Sequence, residues 1–192
     1  MIQEKDILIV VDLEASCCDK GTIAREDMEI IEIGACAVDL SDFSVADDFQ
    51  LYIKPIVNPV LTDFCTELTG IEQATVDKAD VFSMAIPVYR DWLSGFGSIK
   101  AWSSWGNYDK NQFEQDYRRH GTPNLHEGLR HLNLKNLFAK ATGERLGLGW
   151  AIEKVGAKFE GRAHCGRDDA NNMARLLTLS PEFGDVILSR ID

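Results

Sequence analysis

Residues 7–14 read Ile7-Leu8-Ile9-Val10-Val11-Asp12-Leu13-Glu14, five apolar residues running into two carboxylates spaced two apart. A β-branched run of this length predicts a central strand buried on both faces. Side chains on a strand repeat every two residues, so Asp12 and Glu14 share one face and Leu13 takes the other. Two like charges side by side repel. A strand end that emerges into water tolerates them, and so does a hard divalent cation seated between them, because Mg2+ and Mn2+ take oxygen ligands and offset the repulsion.

Working outward, residues 30–40 (IIEIGACAVDL) and 49–54 (FQLYIK) are the next predicted strands, with a long polar turn over 17–27 and a Pro-bounded stop at 55–59. Three strands joined by turns predict an antiparallel meander. The period then lengthens. Helices are predicted over 62–68, 81–93 (with Asp80 as its cap), 107–120, 134–141, 149–155 and 167–179, the last ended by Ser180-Pro181, with one short strand at 98–102. Strands first and helix/strand alternation afterwards predict an α/β layer fold on a mixed sheet with helices on both faces. No repeat and no linker interrupts the 192 residues, which are read as one domain.

Composition narrows the function. The formal net charge is −11, the wrong sign for gripping long nucleic acid by charge alone. Residues 1–80 hold 18 of the 31 acids and only five of the 20 Lys and Arg. Residues 118–140 reverse the balance, with Arg118, Arg119, Arg130, Lys135 and Lys140 against Glu127, and with three of the four His. That segment reads either as a local phosphate lane or as a solvated basic face. Five Cys without CxxC spacing argue against a disulfide framework or zinc knot and fit the reducing cytoplasm. The opening apolar run is too short for a signal peptide or membrane span, so no membrane partner is expected. No GxGxxG follows a strand and no GxSxG is present, which sets aside dinucleotide enzymes and serine hydrolases.

A second group of polar residues sits in GRAHCGRDDANN at 161–172, where a turn leads into a predicted helix. Asp168 and Asp169 fit the first turn of that helix, where the dipole favours acids. His164 lies five residues before Asp169, a spacing able to place a neutral-pH base beside a metal ligand. Asp109 follows Trp105-Gly106-Asn107-Tyr108 at another helix start and would serve there equally as a cap.

Asp12-Leu13-Glu14, Asp109 beside an aromatic, and the H-x4-D of His164 and Asp169 resemble, in order and spacing, the DEDDh 3′-5′ exonucleases of the ribonuclease H-like superfamily. DLEASCC at 12–18, FCTELTGI at 64–71 and AHCGRDDANN at 163–172 look like the Eri-type branch, which includes the 3′ histone mRNA exonuclease and its bacterial stand-alone relatives. The resemblance runs over residues 7–179 and implies a ribonuclease H-like fold. It further implies that Asp12, Glu14 and Asp169 hold one Mg2+, that Asp12 and Asp109 serve a second, and that His164 is the general base, with Mn2+ able to substitute. Asp168 neighbours the matching Asp without being its equivalent. The 3′-terminal nucleotide pocket would draw on Ala15, Cys65, Leu68, Thr69 and Tyr108, with Phe64 and Trp105 nearby. The eukaryotic relatives carry an extra nucleic-acid-binding module before the nuclease domain, so substrate selection by such a module is not expected here.

The implied reaction is stepwise hydrolysis of phosphodiester bonds from the 3′ end of single-stranded RNA or DNA, RNA favoured, releasing nucleoside 5′-monophosphates. Two cations about 3.5–4 Å apart can activate water, neutralise the phosphorus centre and stabilise the leaving oxygen. The alternatives are a DNA-preferring 3′-5′ exonuclease and a nuclease-fold binding module without turnover. All five catalytic positions are filled, which favours an enzyme.

Overall fold

The opening apolar run becomes the middle of the molecule. In the computed structural model, which describes residues 5–191, β1 (Asp6–Ala15) is the central strand of a five-stranded mixed sheet. On one side it pairs antiparallel with β2 (Ile30–Asp39), which pairs antiparallel with β3 (Val45–Tyr52) at the edge. On the other it runs parallel to β4 (Ser98–Ser104), which runs parallel to the short edge strand β5 (Arg130–Asn133). The expected meander and mixed sheet are both present.

Helices cover both faces, and β1 divides its side chains between them. Ile7, Ile9, Val11 and Leu13 pack with Phe82 and Tyr89 of α3 (Phe82–Ser94) and with Phe113 and Tyr117 of α4 (Tyr108–His120). Leu8 and Val10 face the opposite layer, built by α5 (Leu134–Thr142), α6 (Leu148–Lys154), α7 (Gly166–Leu179) and α8 (Pro181–Leu188). Phe138, Met173, Leu177 and Phe183 supply its bulk. Asp12 and Glu14 continue the Leu8 and Val10 row by the same period of two, so the carboxylates rise out of the core on the α7 side. A third, smaller cluster beside α1 (Asp63–Thr69) and α2 (Gln73–Lys78) gathers Ile31, Leu61, Cys65, Ile71 and Val76. Among the described residues no helix is long and apolar enough to cross a membrane.

Several expectations needed correction. β3 starts at Val45, four residues before the expected 49, because Asp47 and Asp48 lie exposed on an edge strand and hide it from a hydrophobicity reading. α2 and β5 went unread because each buries only one side chain, Val76 and Leu132. Pro181 does more than end α7: it opens α8 at a position where a missing amide hydrogen is harmless. Asp80 is not the cap of α3. Val81 holds that position without a side-chain bond, and the Asp80 carbonyl accepts instead from the Lys54 amide at 2.9 Å.

What brings α7 onto the sheet is a contact between two glycines. Gly34 lies opposite Asp12 in the β1/β2 pairing, and a Cβ at Gly34 would stand 1.9 Å from the Gly166 carbonyl carbon and 2.1 Å from the Arg167 nitrogen. A Cβ at Gly166 would in turn stand 2.9 Å from the Asp12 carbonyl oxygen. Backbone meets backbone here, so no rotamer change relieves an added methyl. Gly34→Ala is therefore expected to destabilise by about 1–3 kcal/mol or more, lowering Tm by roughly 2–4 °C for each kcal/mol. Gly149→Ala, in α6 with nothing within 4 Å of the added carbon, should leave Tm unchanged or slightly raised. Equal melting of the two variants by calorimetry would contradict the contact.

Candidate active site

Five residues from three distant parts of the chain line one cleft of about 460 Å³: Asp12, Glu14, Asp109, His164 and Asp169. β1 delivers the first pair. Asp109, in the first turn of α4, does more than cap its own helix, because its Oδ1 accepts the Leu13 amide hydrogen at 3.0 Å across 96 positions of sequence. That bond ties the start of α4 to the strand between the two carboxylates.

Asp169 and His164 come from the N-terminal end of α7 and the turn before it. Asp169 Oδ2 accepts the His164 amide hydrogen at 2.8 Å, closing the turn on itself. His164 sits at φ 61°, in the left-handed region. A non-glycine residue held there carries backbone strain of about 1–3 kcal/mol, a feature that clusters at functional sites. The side chain is exposed, and its ring nitrogen, a Glu14 oxygen and an Asp169 oxygen all lie within 4.8 Å of one another. Asp168 does a different job. Its Oδ2 accepts the Arg162 amide at 2.8 Å, so it braces the turn preceding α7 rather than capping the helix.

Crowding leaves its mark on the acids. Burial raises Asp12 well above the usual carboxylate range, and Asp109, Asp169, Glu14 and Glu32 push it further. Glu14 rises to about 8, from burial first and then from Glu32, Asp169 and Asp109. Asp169 rises to about 7 through burial, with the His164 amide opposing, and Asp109 to about 6 through burial, with the Leu13 amide and the Ser104 hydroxyl opposing. A partly dehydrated set of oxygens that repel one another, with an imidazole nitrogen at its rim, is the donor chemistry of a hard divalent cation site.

The other expected residues divide. Ala15, Leu68 and Tyr108 line the cleft, as do Trp105, Cys17, Met28 and Leu148. Trp105 is anchored by an indole N–H donated to the Leu146 carbonyl at 3.1 Å and packs on Phe138, so it serves core and cleft together. Cys65 is buried beneath the cleft with its thiol 3.7 Å from the Ala15 carbonyl, and Phe64 is 37% exposed without being part of the lining. Thr69 is also absent from the lining. Its hydroxyl donates to the Cys65 carbonyl at 2.8 Å and accepts from the Ile71 amide at 3.1 Å, so its one donor hydrogen is committed, and the residue is buried.

The basic segment 118–140 is partly taken up inside the protein, while Arg118, Lys135 and Lys140 make no ion pair among the described residues. Arg119 is bound to Asp116 and to the Met28 carbonyl, and Arg130 to the Arg190 carbonyl. His120 stacks on Phe82, and His126 and His131 pack on Trp102. Burial pulls His126 down to about 3 and His131 to about 4, so both are neutral near pH 7 and carry no charge for a phosphate.

One residue was missed. Glu32 of β2 is 1% exposed and stands directly opposite Glu14 in the strand pairing. A lone carboxylate inside the apolar run Ile30-Ile31-Glu32-Ile33 was the available signal.

Comparison with known proteins bears on the family and the fold. The model of the RNase_T family, described as Exonuclease, matches residues 9–177. Human 3′-5′ exoribonuclease 1 is 32% identical over 179 residues, covering 89% of this chain and 51% of that protein. The Schizosaccharomyces pombe 3′-5′ exonuclease eri1 is 29% identical over 198 residues, covering 88% of this chain and 66% of that protein. The chain thus spans about half the length of the human relative. Among solved structures, the nuclease domain of 3′hExo, a DEDDh family member bound to rAMP, superposes with a TM-score of 0.82 at 28% identity, covering 92% of each chain. A 3′-exonuclease recognising the 3′ end of a histone mRNA stem-loop gives 0.82 at 26% identity, over 94% of this chain and 64% of that one.

The raised carboxylates dictate how stability depends on pH. Each folded value exceeds the ordinary carboxylate range of about 4, so each group's contribution is fully present below that range and is lost as pH rises through the folded values. In chelator, Tm should therefore fall between pH 5 and about 8. Asp12→Asn removes a member of the repelling set and should melt higher than the parent, by a margin that widens with pH. A margin that shrank with pH would show that the acids do not crowd one another.

Proposed function

The chain belongs to the RNase_T exonuclease family, and on that premise we propose that it is a 3′-5′ exoribonuclease that hydrolyses single-stranded RNA from its 3′ end and releases nucleoside 5′-monophosphates. The observation that carries this reading is the convergence of Asp12, Glu14, Asp109, His164 and Asp169 on one cleft, with the donor atoms of Glu14, His164 and Asp169 within 4.8 Å of one another. Support for RNA comes from the relatives, an exoribonuclease and a nuclease domain bound to rAMP. The described residues, all built on one sheet, act as a single exonuclease unit, and five free thiols suit a cytoplasmic site of action.

The buried, crowded carboxylates fit a hard divalent cation, which on this reading is Mg2+, two ions in number, with Mn2+ able to replace them. Asp12, Glu14 and Asp169 would hold one and Asp12 with Asp109 the other. When bound, the ions supply an activated water and neutralise charge at the phosphate. The chain's own part begins with His164, exposed at the rim, which takes the proton from the attacking water as general base. Its backbone bond to Asp169 keeps the ring over the site. Leu68, Tyr108 and Trp105 form the apolar walls against which a terminal base rests, Tyr108 offering its ring for stacking. Such contacts read no base edge, so sequence preference is slight. With Arg119 and Arg130 engaged inside the protein and a net charge of −11, few upstream phosphates are held and salt dependence is shallow.

End-labelled single-stranded RNA, single-stranded DNA and circular RNA, each with Mg2+ or chelator, test the reading. Mg2+-dependent laddering from the 3′ end of linear RNA is expected, with circular RNA intact. Equal or faster attack on DNA would move the preference to DNA, cuts in circular RNA would remove end recognition, and binding without cleavage would favour a regulatory module. His164→Ala should lose about 10²- to 10⁴-fold in turnover while keeping cation affinity by calorimetric titration. Loss of cation binding in that variant would recast His164 as a ligand.

A further inference from the structure

Glu32 poses a problem that the proposed reaction leaves unexplained. It faces Glu14 directly across the β1/β2 pair, an arrangement of like charges that destabilises a sheet. It is also among the most buried charged residues of the chain, at 1% exposure. Its contacts account for it. One oxygen, Oε1, accepts from Gln50 Nε2 at 2.8 Å and from the Arg167 amide at 3.3 Å, with the Cys165 thiol 3.8 Å away.

Two of those three contacts are to the start of α7. That helix begins at Gly166 after Cys165, whose side chain makes no capping bond. The amides of its first turn have no partner within the helix, and Glu32 meets one of them, that of Arg167, from a neighbouring strand. The fit is close: a Cβ on Gly166 would touch the Glu32 carboxyl carbon at 3.4 Å. Gln50 holds the carboxylate from the other side while also donating to the Tyr52 hydroxyl at 2.9 Å, so the clamp is braced by two residues of β3.

We propose that Glu32 is a positioning residue for hydrolysis: it grips the first turn of α7 and thereby fixes where His164 and Asp169 stand relative to Glu14. The inference rests on the exonuclease reading for its consequence, and on hydrogen bonds alone for its mechanism. What matters is an acceptor at Oε1. The charge itself is dispensable, which distinguishes this role from that of a cation ligand.

Two variants separate the roles. E32Q keeps a carbonyl acceptor in place and puts an amide beside Glu14, whereas E32A removes the clamp. In metal-free protein, hydrogen exchange of the amides at 164–169 should speed up in E32A and stay near parent rates in E32Q. Calorimetric titration with Mg2+ and single-turnover hydrolysis of single-stranded RNA should show E32A weakened by about 10- to 100-fold, as for other residues that orient ligands from behind, with KM for RNA unchanged and with E32Q recovering most of the loss. E32Q failing as badly as E32A would overturn the proposal in favour of a charge role, and so would E32A exchanging and turning over like the parent. Should E32A not fold, E32Q decides alone: protected amides with retained cation affinity support the clamp, and their loss refutes it. An inert parent on RNA would sink the exonuclease reading, while exchange and titration would still judge Glu32.

Discussion

The site exists because α7 lies directly on the sheet, backbone against backbone, at Gly34 and Gly166. That approach is closer than any side chain permits, and it occurs beside Asp12, the most crowded of the carboxylates. Asp169 and His164 reach the carboxylates of β1 only because nothing separates the two backbones. The surrounding layer, with Met173 and Leu177 of α7 packed under Phe138 and Phe183, supplies the apolar force that keeps α7 seated. Packing and chemistry therefore meet at one contact.

The same closeness creates an electrostatic liability. Asp12, Glu14, Asp109 and Asp169 gather where water is partly excluded, and each rises above its ordinary range as a result. Some relief is built in through amide donors, from Leu13 to Asp109 and from His164 to Asp169. These bonds orient the carboxylates without neutralising them. A fold that keeps this tension unresolved is prepared for a cation, and its core on both sides of β1 carries the strain.

Much of this was legible in residues 7–14, since a β-branched run fixes a buried strand and a period of two fixes the shared face of Asp12 and Glu14. The placement of Asp109 and Asp169 at the cleft was legible only as a pattern, because the bonds that hold them cross 96 positions of sequence in one case and return from a helix into its preceding turn in the other. Thr69 and the histidines of 118–140 misled for a related reason. Polar side chains look available in a sequence, yet the Thr69 hydroxyl is engaged within its own turn and His126 is stacked on Trp102 inside the core. Glu32 shows the reverse failure, a buried acid whose partners on α7 lie more than 130 positions away.

The order of these residues along the chain bears on how such a protein is made. Of the described elements β1 comes first, yet its parallel neighbour β4 begins at Ser98 and its covering helix α7 at Gly166. Contacts of such high sequence separation form late in folding. A nascent chain still tethered to a ribosome therefore holds Asp12 and Glu14 without Asp169 or His164, and its cleft is incomplete until nearly all of the described residues have emerged. The cleft is therefore a property of the whole sheet with its α7 cover, and no shorter stretch of the described residues contains it.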